Sequence, residues 1–192
     1  MTKPEEVLGF WLDEVGAKGW YAQDDALDAE ITERFGAAWE GLMGGRYGLW
    51  LTHPSGVLAY IVLADQFPRN MFRGEARAFA SDRVALAAAK QAIHRGWDMK
   101  IDAPARQFFY LPLMHSENLC DQDRCVRLMK ERLDDGDNLL HARVHREVIR
   151  QFGRFPYRNA ALDRRTTAAE EAFTENGGYG ALLREVQAVE AA

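Results

Sequence analysis

The stretch from Val57 to Phe67 restricts the fold of this chain more than any other, because it is apolar on every side except at Asp65 and Gln66. Such a run belongs in the middle of a core, where its burial contributes most. Periodicity alone does not tell a buried helix from a buried strand over Val57 to Ala64. Thr52-His53-Pro54 can cap and start a helix just ahead of it, and the segments on both sides read as helices, so a buried helix is expected.

Those neighbouring segments carry their own start and stop signals. Pro4 suits the first turn of a helix bearing Val7, Leu8, Trp11, Leu12 and Val15, with Gly16 as its stop. A second helix starts near Asp24 or Asp25, places Leu27, Ile31, Phe35, Ala38 and Leu42 on one stripe, and closes at Gly44-Gly45. Ser81 can cap a helix running to Arg95, with Gly96 past its end. Asp102 and Pro104 start another, which Pro112 must kink or break after Phe108-Phe109-Tyr110-Leu111. Cys125, Leu128, Met129 and Leu133 define a helix ending before Gly136, and Asp137 or Asn138 caps the next. Thr167-Ala168-Ala169-Glu170 is a capping-box pattern, Gly177-Gly178 ends its helix, and Leu182, Leu183, Val186 and Val189 mark a last helix expected to fray at Ala191-Ala192. Alternating runs and Asn-Gly hairpin signals are missing. The fold class is therefore all-α, with antiparallel helix hairpins arranged as an irregular bundle or a solenoid. At 192 residues one domain spanning 1–192 is expected.

Polar residues in unusual places mark the candidate site. On a helix Asp65 falls among apolar side chains and needs a partner, for which Arg69, Arg73 or a more distant arginine loop is available. Arg150 to Arg165 ends a helix in a loop crowded with arginines and rings, and Phe155-Pro156-Tyr157-Arg158-Asn159 echoes Phe67-Pro68-Arg69-Asn70 with one residue inserted. From His145 to Arg165 six arginines face two acids, inside a chain of net charge −5. The overall sign argues against general nucleic-acid binding, whereas the local excess suits either a specific anionic ligand or a network of internal ion pairs. His141 and His145 sit one turn apart on the apolar half of their helix, and His115 and Glu117 follow the Pro112 break. Without the glutamate of a His-Glu-x-x-His motif, and beside so many arginines, no metal site is expected. The two cysteines, five residues apart, fit no redox or metal spacing and suit a reducing compartment. No run reaches the ~18 apolar residues of a membrane span, and Met-Thr-Lys-Pro-Glu-Glu lacks the apolar core of a secretory signal, so a cytoplasmic protein is expected.

Three blocks together resemble one family. Leu63-Ala64-Asp65-Gln66-Phe67-Pro68-Arg69-Asn70, then Tyr110-Leu111-Pro112-Leu113-Met114-His115-Ser116-Glu117, then His145 through Phe152-Gly153-Arg154-Phe155-Pro156-Tyr157-Arg158-Asn159 look like the signature blocks of the bacterial domain-of-unknown-function family 924. The resemblance implies an all-α fold similar to tetratricopeptide-repeat proteins and no settled activity. It would place Gly where Asp163 stands, so the backbone of that loop is expected to differ.

Two functions follow. In the first, Asp65, His115, Glu117 and His145 supply acid and base, while Arg69, Asn70, Arg154, Arg158 and Asn159 hold a small anionic molecule, all converging on one cleft. In the second, stacked helix hairpins present a groove to a peptide without catalysis. The sequence names no cofactor and no oligomeric state.

Overall fold

The computed structural model describes residues 1–133 and 136–190, and the expected fraying at Ala191-Ala192 lies outside them. The fold is all-α, with no strand among the described residues. The chain divides into two compact units, Met1–Pro112 and Leu113–Ala192.

In the first unit, α1 (Pro4–Leu8) widens into a π-helical segment, Gly9–Val15, and Gly16 turns the chain at a φ of +62° into the short α2 (Gly16–Gly19). The Asp24 carboxylate caps α3 (Asp25–Met43) by accepting from the Ala26 amide at 2.9 Å. The apolar run is helical and buried throughout: α4 (Pro54–Ile61), a π-helical segment (Val62–Gln66) and α5 (Phe67–Met71) follow without a break. Pro68 explains part of this shape. It has no N–H to give the Ala64 carbonyl one turn back, and an orphaned carbonyl in a core is costly. The Ser81 hydroxyl donates to that carbonyl at 2.5 Å and accepts from the Trp39 indole N–H at 2.9 Å. Ser81 thus precedes α6 (Asp82–His94) without its side chain capping it, contrary to the local reading. Phe67 sits at the centre of this unit, its ring 4.8 Å from Phe35 and edge-on to Trp11 at 5.5 Å.

The helix expected from Asp102 is a 3-10 turn, Ala105–Phe109, followed by α7 (Leu111–Met114). Pro104 and Pro112 bracket a segment too short for stable α-helical pairing, and Pro112 could not donate to Phe108. The tighter i+3 bonds, such as Tyr110 N–H to the Gln107 carbonyl at 2.8 Å, take over.

The second unit contains α8 (Leu119–Arg132), α9 (Gly136–Phe152), α10 (Ala168–Glu175) and α11 (Gly178–Glu190). Asn118 caps α8 through the Cys120 amide at 2.9 Å. The Thr167–Glu170 capping box forms as expected: the Glu170 carboxylate accepts from the Thr167 N–H at 2.7 Å, and the Thr167 hydroxyl accepts from the Glu170 N–H at 3.3 Å. Val144, Val148 and Ile149 of α9 pack with Phe155 and with Leu182 of α11 to form this unit's core. Gly153, at a φ of +68°, ends α9 and turns the chain into the arginine loop. Asp163 holds a φ of +50°, a left-handed conformation that glycine favours and aspartate tolerates. The aspartate therefore makes a turn that a glycine there could also make, and the expected departure of this loop's backbone is not required.

Candidate functional site

The arginine loop of the second unit is held by a dense set of ion pairs. Arg154 aims its fork at Glu170, with Nε–Oε1 at 2.5 Å and an Nη–Oε2 contact at 2.8 Å, and gives a further bond to the Arg165 carbonyl. That guanidinium first, and the capping bonds of Thr167 after it, hold the Glu170 carboxyl well below the usual carboxylate range. Glu117 accepts two bonds from Arg164, at 2.7 and 2.9 Å, and one from the Phe155 N–H at 2.9 Å. Burial by itself would raise the pKa of Glu117, but Arg164, the Phe155 amide and the nearby Arg158 outweigh it, so the net shift is downward. Arg158 is buried and lies over the Phe155 ring at 4.6 Å. Asn159 is buried beside Glu170, whose negative charge it helps to stabilise.

Arg154 and Glu117, expected from the sequence to meet a ligand and to move a proton, are thus engaged in fixing the loop. At neutral pH an ionised Glu117 clamped by a guanidinium has no proton to give.

His145 has a different environment. Its ring packs edge-on against Phe155 and Tyr179, with centroids 5.5 and 5.1 Å away, and keeps a partly accessible edge. Burial pushes its pKa down to about 3; the bond to the His141 carbonyl opposes this shift, while the charges of His115, His141 and Arg158 add to it. Nδ1 lies 2.8 Å from the His141 carbonyl, which can only accept, so Nδ1 carries the hydrogen and Nε2 keeps its lone pair. Nε2 has no hydrogen-bond partner among the described residues. The Tyr179 hydroxyl lies 2.6 Å from Nδ1 of His141 and 3.3 Å from Nδ1 of His145. Because His145 is the donor at its own Nδ1, the tyrosine oxygen can accept a share of that hydrogen. The tautomer that leaves Nε2 of His145 as an acceptor is thus set by the His141 carbonyl, and the Tyr179 contact is compatible with it.

His145 lines a surface pocket of about 470 Å³, together with Tyr157, Phe173, Thr174, Gly178 and Tyr179. α9 supplies the histidine, the arginine loop Tyr157, and α10 and the start of α11 the rest. His115, half-buried after α7, is close enough to His145 to oppose its protonation. The turn carrying His115 and Glu117 is tied by Gln122, whose amide donates to the Met114 carbonyl at 2.6 Å and to the Ser116 carbonyl at 2.7 Å.

Asp65, Arg69 and Asn70 belong to the first unit and have partners there. Asp65 is fully buried, accepts from the Gln66 amide at 2.5 Å and lies 3.6 Å from the Arg69 guanidinium. Arg69 also reaches Asp82 at 2.8 Å and the Ala78 carbonyl, and Asn70 donates to Asp28 at 2.7 Å. Here a carboxylate and an arginine tie down the Phe67-Pro68 segment, which is the structural alternative the sequence left open.

Sequence reasoning missed Tyr179, Thr174, Phe173 and Gln122. Tyr179 follows a Gly-Gly pair that read only as a helix stop, and Gln122 sits one turn into a helix with nothing local to mark it as buried. The Cys125 thiol is buried and pushed up to about 12, which leaves it protonated. Among the described residues no group of three or more His, Cys, Asp or Glu side chains is placed to hold a metal ion.

Comparison with known proteins places these features in a wider setting. Residues 7–178 match the family model described as "Bacterial protein of unknown function (DUF924)". A solved structure of a protein of unknown function from Agrobacterium tumefaciens is 37% identical, with a TM-score of 0.85 over 90% of this chain and 97% of that one. Among curated proteins no match was found.

Proposed function

The chain belongs to the DUF924 family of bacterial proteins of unknown function, and from the geometry of its second unit we propose that it binds a small molecule in the aromatic pocket, with His145 as hydrogen-bond acceptor and candidate base. One observation carries this reading: a pocket of about 470 Å³ is lined by a histidine whose Nδ1 hydrogen is tied to a carbonyl and whose pKa is pushed far below neutrality. Small-molecule sites run from about 300 to 1,000 Å³ and combine apolar walls with a few placed polar groups. A base of low pKa accepts a proton only as it is passed on, so His145 suits hydrogen bonding to a ligand and brief proton transfer rather than storage of charge. Arg158 acts on His145 with a positive field, which favours an anionic or neutral ligand over a cation.

The test is a thermal-shift screen of anionic metabolites, nucleotides and metals. A ligand at about 100 times its Kd stabilises by about 2.7 kcal/mol. A genuine hit is abolished by His145→Gln while the circular dichroism spectrum is retained. A screen without hits, or hits indifferent to His145→Gln, overturns the proposal.

A second reading, a peptide-interaction module, draws support from the first unit. There an apolar surface groove of about 630 Å³ runs between Leu51, Tyr60, Val84, Ala88 and His94. Peptide binding that survives His145→Gln and is lost in Ala88→Arg would favour it.

A further inference from the structure

We infer that the part of the ligand entering the His145 pocket is a flat aromatic ring carrying an N–H or O–H donor, an inference that rests on the small-molecule reading above. The walls point to the ring. Tyr157 rests one face on Phe155, with centroids 5.2 Å apart and planes inclined by 26°, and stays half exposed as a side of the pocket. Phe173 and Tyr179 supply two more aromatic surfaces, and Gly178 contributes no side chain to obstruct an approaching plane. Aromatic rings stack or meet edge-to-face on such walls, with about 0.5–1.5 kcal/mol beyond the area they bury.

The polar atoms point to the donor. Four polar side chains line the pocket, His145, Tyr157, Thr174 and Tyr179, and two of them, His145 and Thr174, have their hydrogen committed to backbone carbonyls. His145 gives its Nδ1 hydrogen to the His141 carbonyl at 2.8 Å, and Thr174 gives its hydroxyl hydrogen to the Glu170 carbonyl at 3.0 Å. What remains at His145 and Thr174 is lone pairs. At His145 and Thr174 a ligand edge bearing acceptors would meet acceptors and lose its hydrogen bonds to water without replacement, whereas an N–H or O–H is matched. The ring carries no positive charge where it meets His145, since the field of Arg158 disfavours a cation there.

The experiment is an NMR titration of the full chain with indole, 1-methylindole and cyclohexanol, following the His145 and Tyr179 resonances. Indole should bind roughly fivefold more tightly than 1-methylindole, which keeps the ring and lacks the donor, because one net hydrogen bond contributes about 1 kcal/mol. Cyclohexanol, which keeps the donor and lacks the flat ring, should be weaker than indole. In His145→Phe the indole to 1-methylindole preference should fall toward one even if both still bind, and Thr174→Val, close in shape, should reduce it in part. Equal binding of indole and 1-methylindole to the unmodified chain sinks the inference about the donor, and equal binding of cyclohexanol sinks that about the ring. If none of the three shifts these resonances while another compound from the screen loses its effect in His145→Gln, the ligand class proposed here is wrong and the small-molecule reading stands. Should the screen also yield nothing dependent on His145, both fail.

Discussion

The ionisation of His145 can be tested without knowing any ligand. An unfolded histidine takes up its proton as pH falls through 6.5, whereas the folded His145 stays neutral down to about 3. Between those values the unfolded state binds more protons, so stability contributed by the neutral ring is complete above 6.5 and declines as pH drops. Glu117 and Glu170 behave in another window: their pKa values are held below the ordinary 4.5, so their contributions are present above 4.5 and are lost only beneath it. The interval from 6.5 to 4.5 therefore separates the histidine from the carboxylates. The melting temperature of the unmodified chain should fall from about pH 7.5 to about pH 5 more steeply than that of His145→Phe. Parallel slopes in the two proteins would show that His145 titrates normally.

At the scale of elements, the turn between α7 and α8 is built by a side chain rather than by backbone regularity. Pro112 prevents a long helix, and the carbonyls that follow need donors. Gln122, buried in α8, supplies them to Met114 and Ser116 and so fixes the residues that flank His115 and lead into Glu117. Gln122→Leu keeps the approximate shape and leaves those carbonyls unpaired, at a cost of about 2 kcal/mol or more. For a chain of this size the melting temperature should fall by roughly 4–8 °C, and the His115 resonances should shift. An unchanged melting temperature would mean that water replaces the amide. The arginine loop follows the same principle with charges, Arg154 on Glu170 and Arg164 on Glu117, which is why its excess of arginines is not by itself an anion site.

For the whole molecule, the distribution of tryptophan offers a probe. Trp11, Trp20, Trp39, Trp50 and Trp97 all lie within Met1–Pro112, so their fluorescence reports that unit alone, while circular dichroism at helical wavelengths reports both. The single domain expected from chain length predicts coincident denaturation curves from the two probes, with one midpoint and one slope. Separate midpoints would make Met1–Pro112 and Leu113–Ala192 independent folding units.

The sequence by itself determined what depends on neighbours along the chain. Residues three and four places apart marked the amphipathic helices, the helical segments on either side marked the buried run from Val57 to Phe67 as another, and the Thr167–Glu170 box is likewise a local signal. The family resemblance was legible for the same reason, since its blocks are contiguous. Only the tertiary structure decided which polar group each unusual residue would meet. Ser81, a cap by its position, serves the carbonyl that Pro68 cannot, seventeen residues before it. Glu117 finds Arg164 across forty-seven residues, and Tyr179, thirty-four residues beyond His145, comes to lie edge-on to its ring and 3.3 Å from its Nδ1. A side chain's type states that it needs a hydrogen-bond partner, but the partner is chosen by how helices pack, and packing brings together residues whose separation in sequence carries no signal.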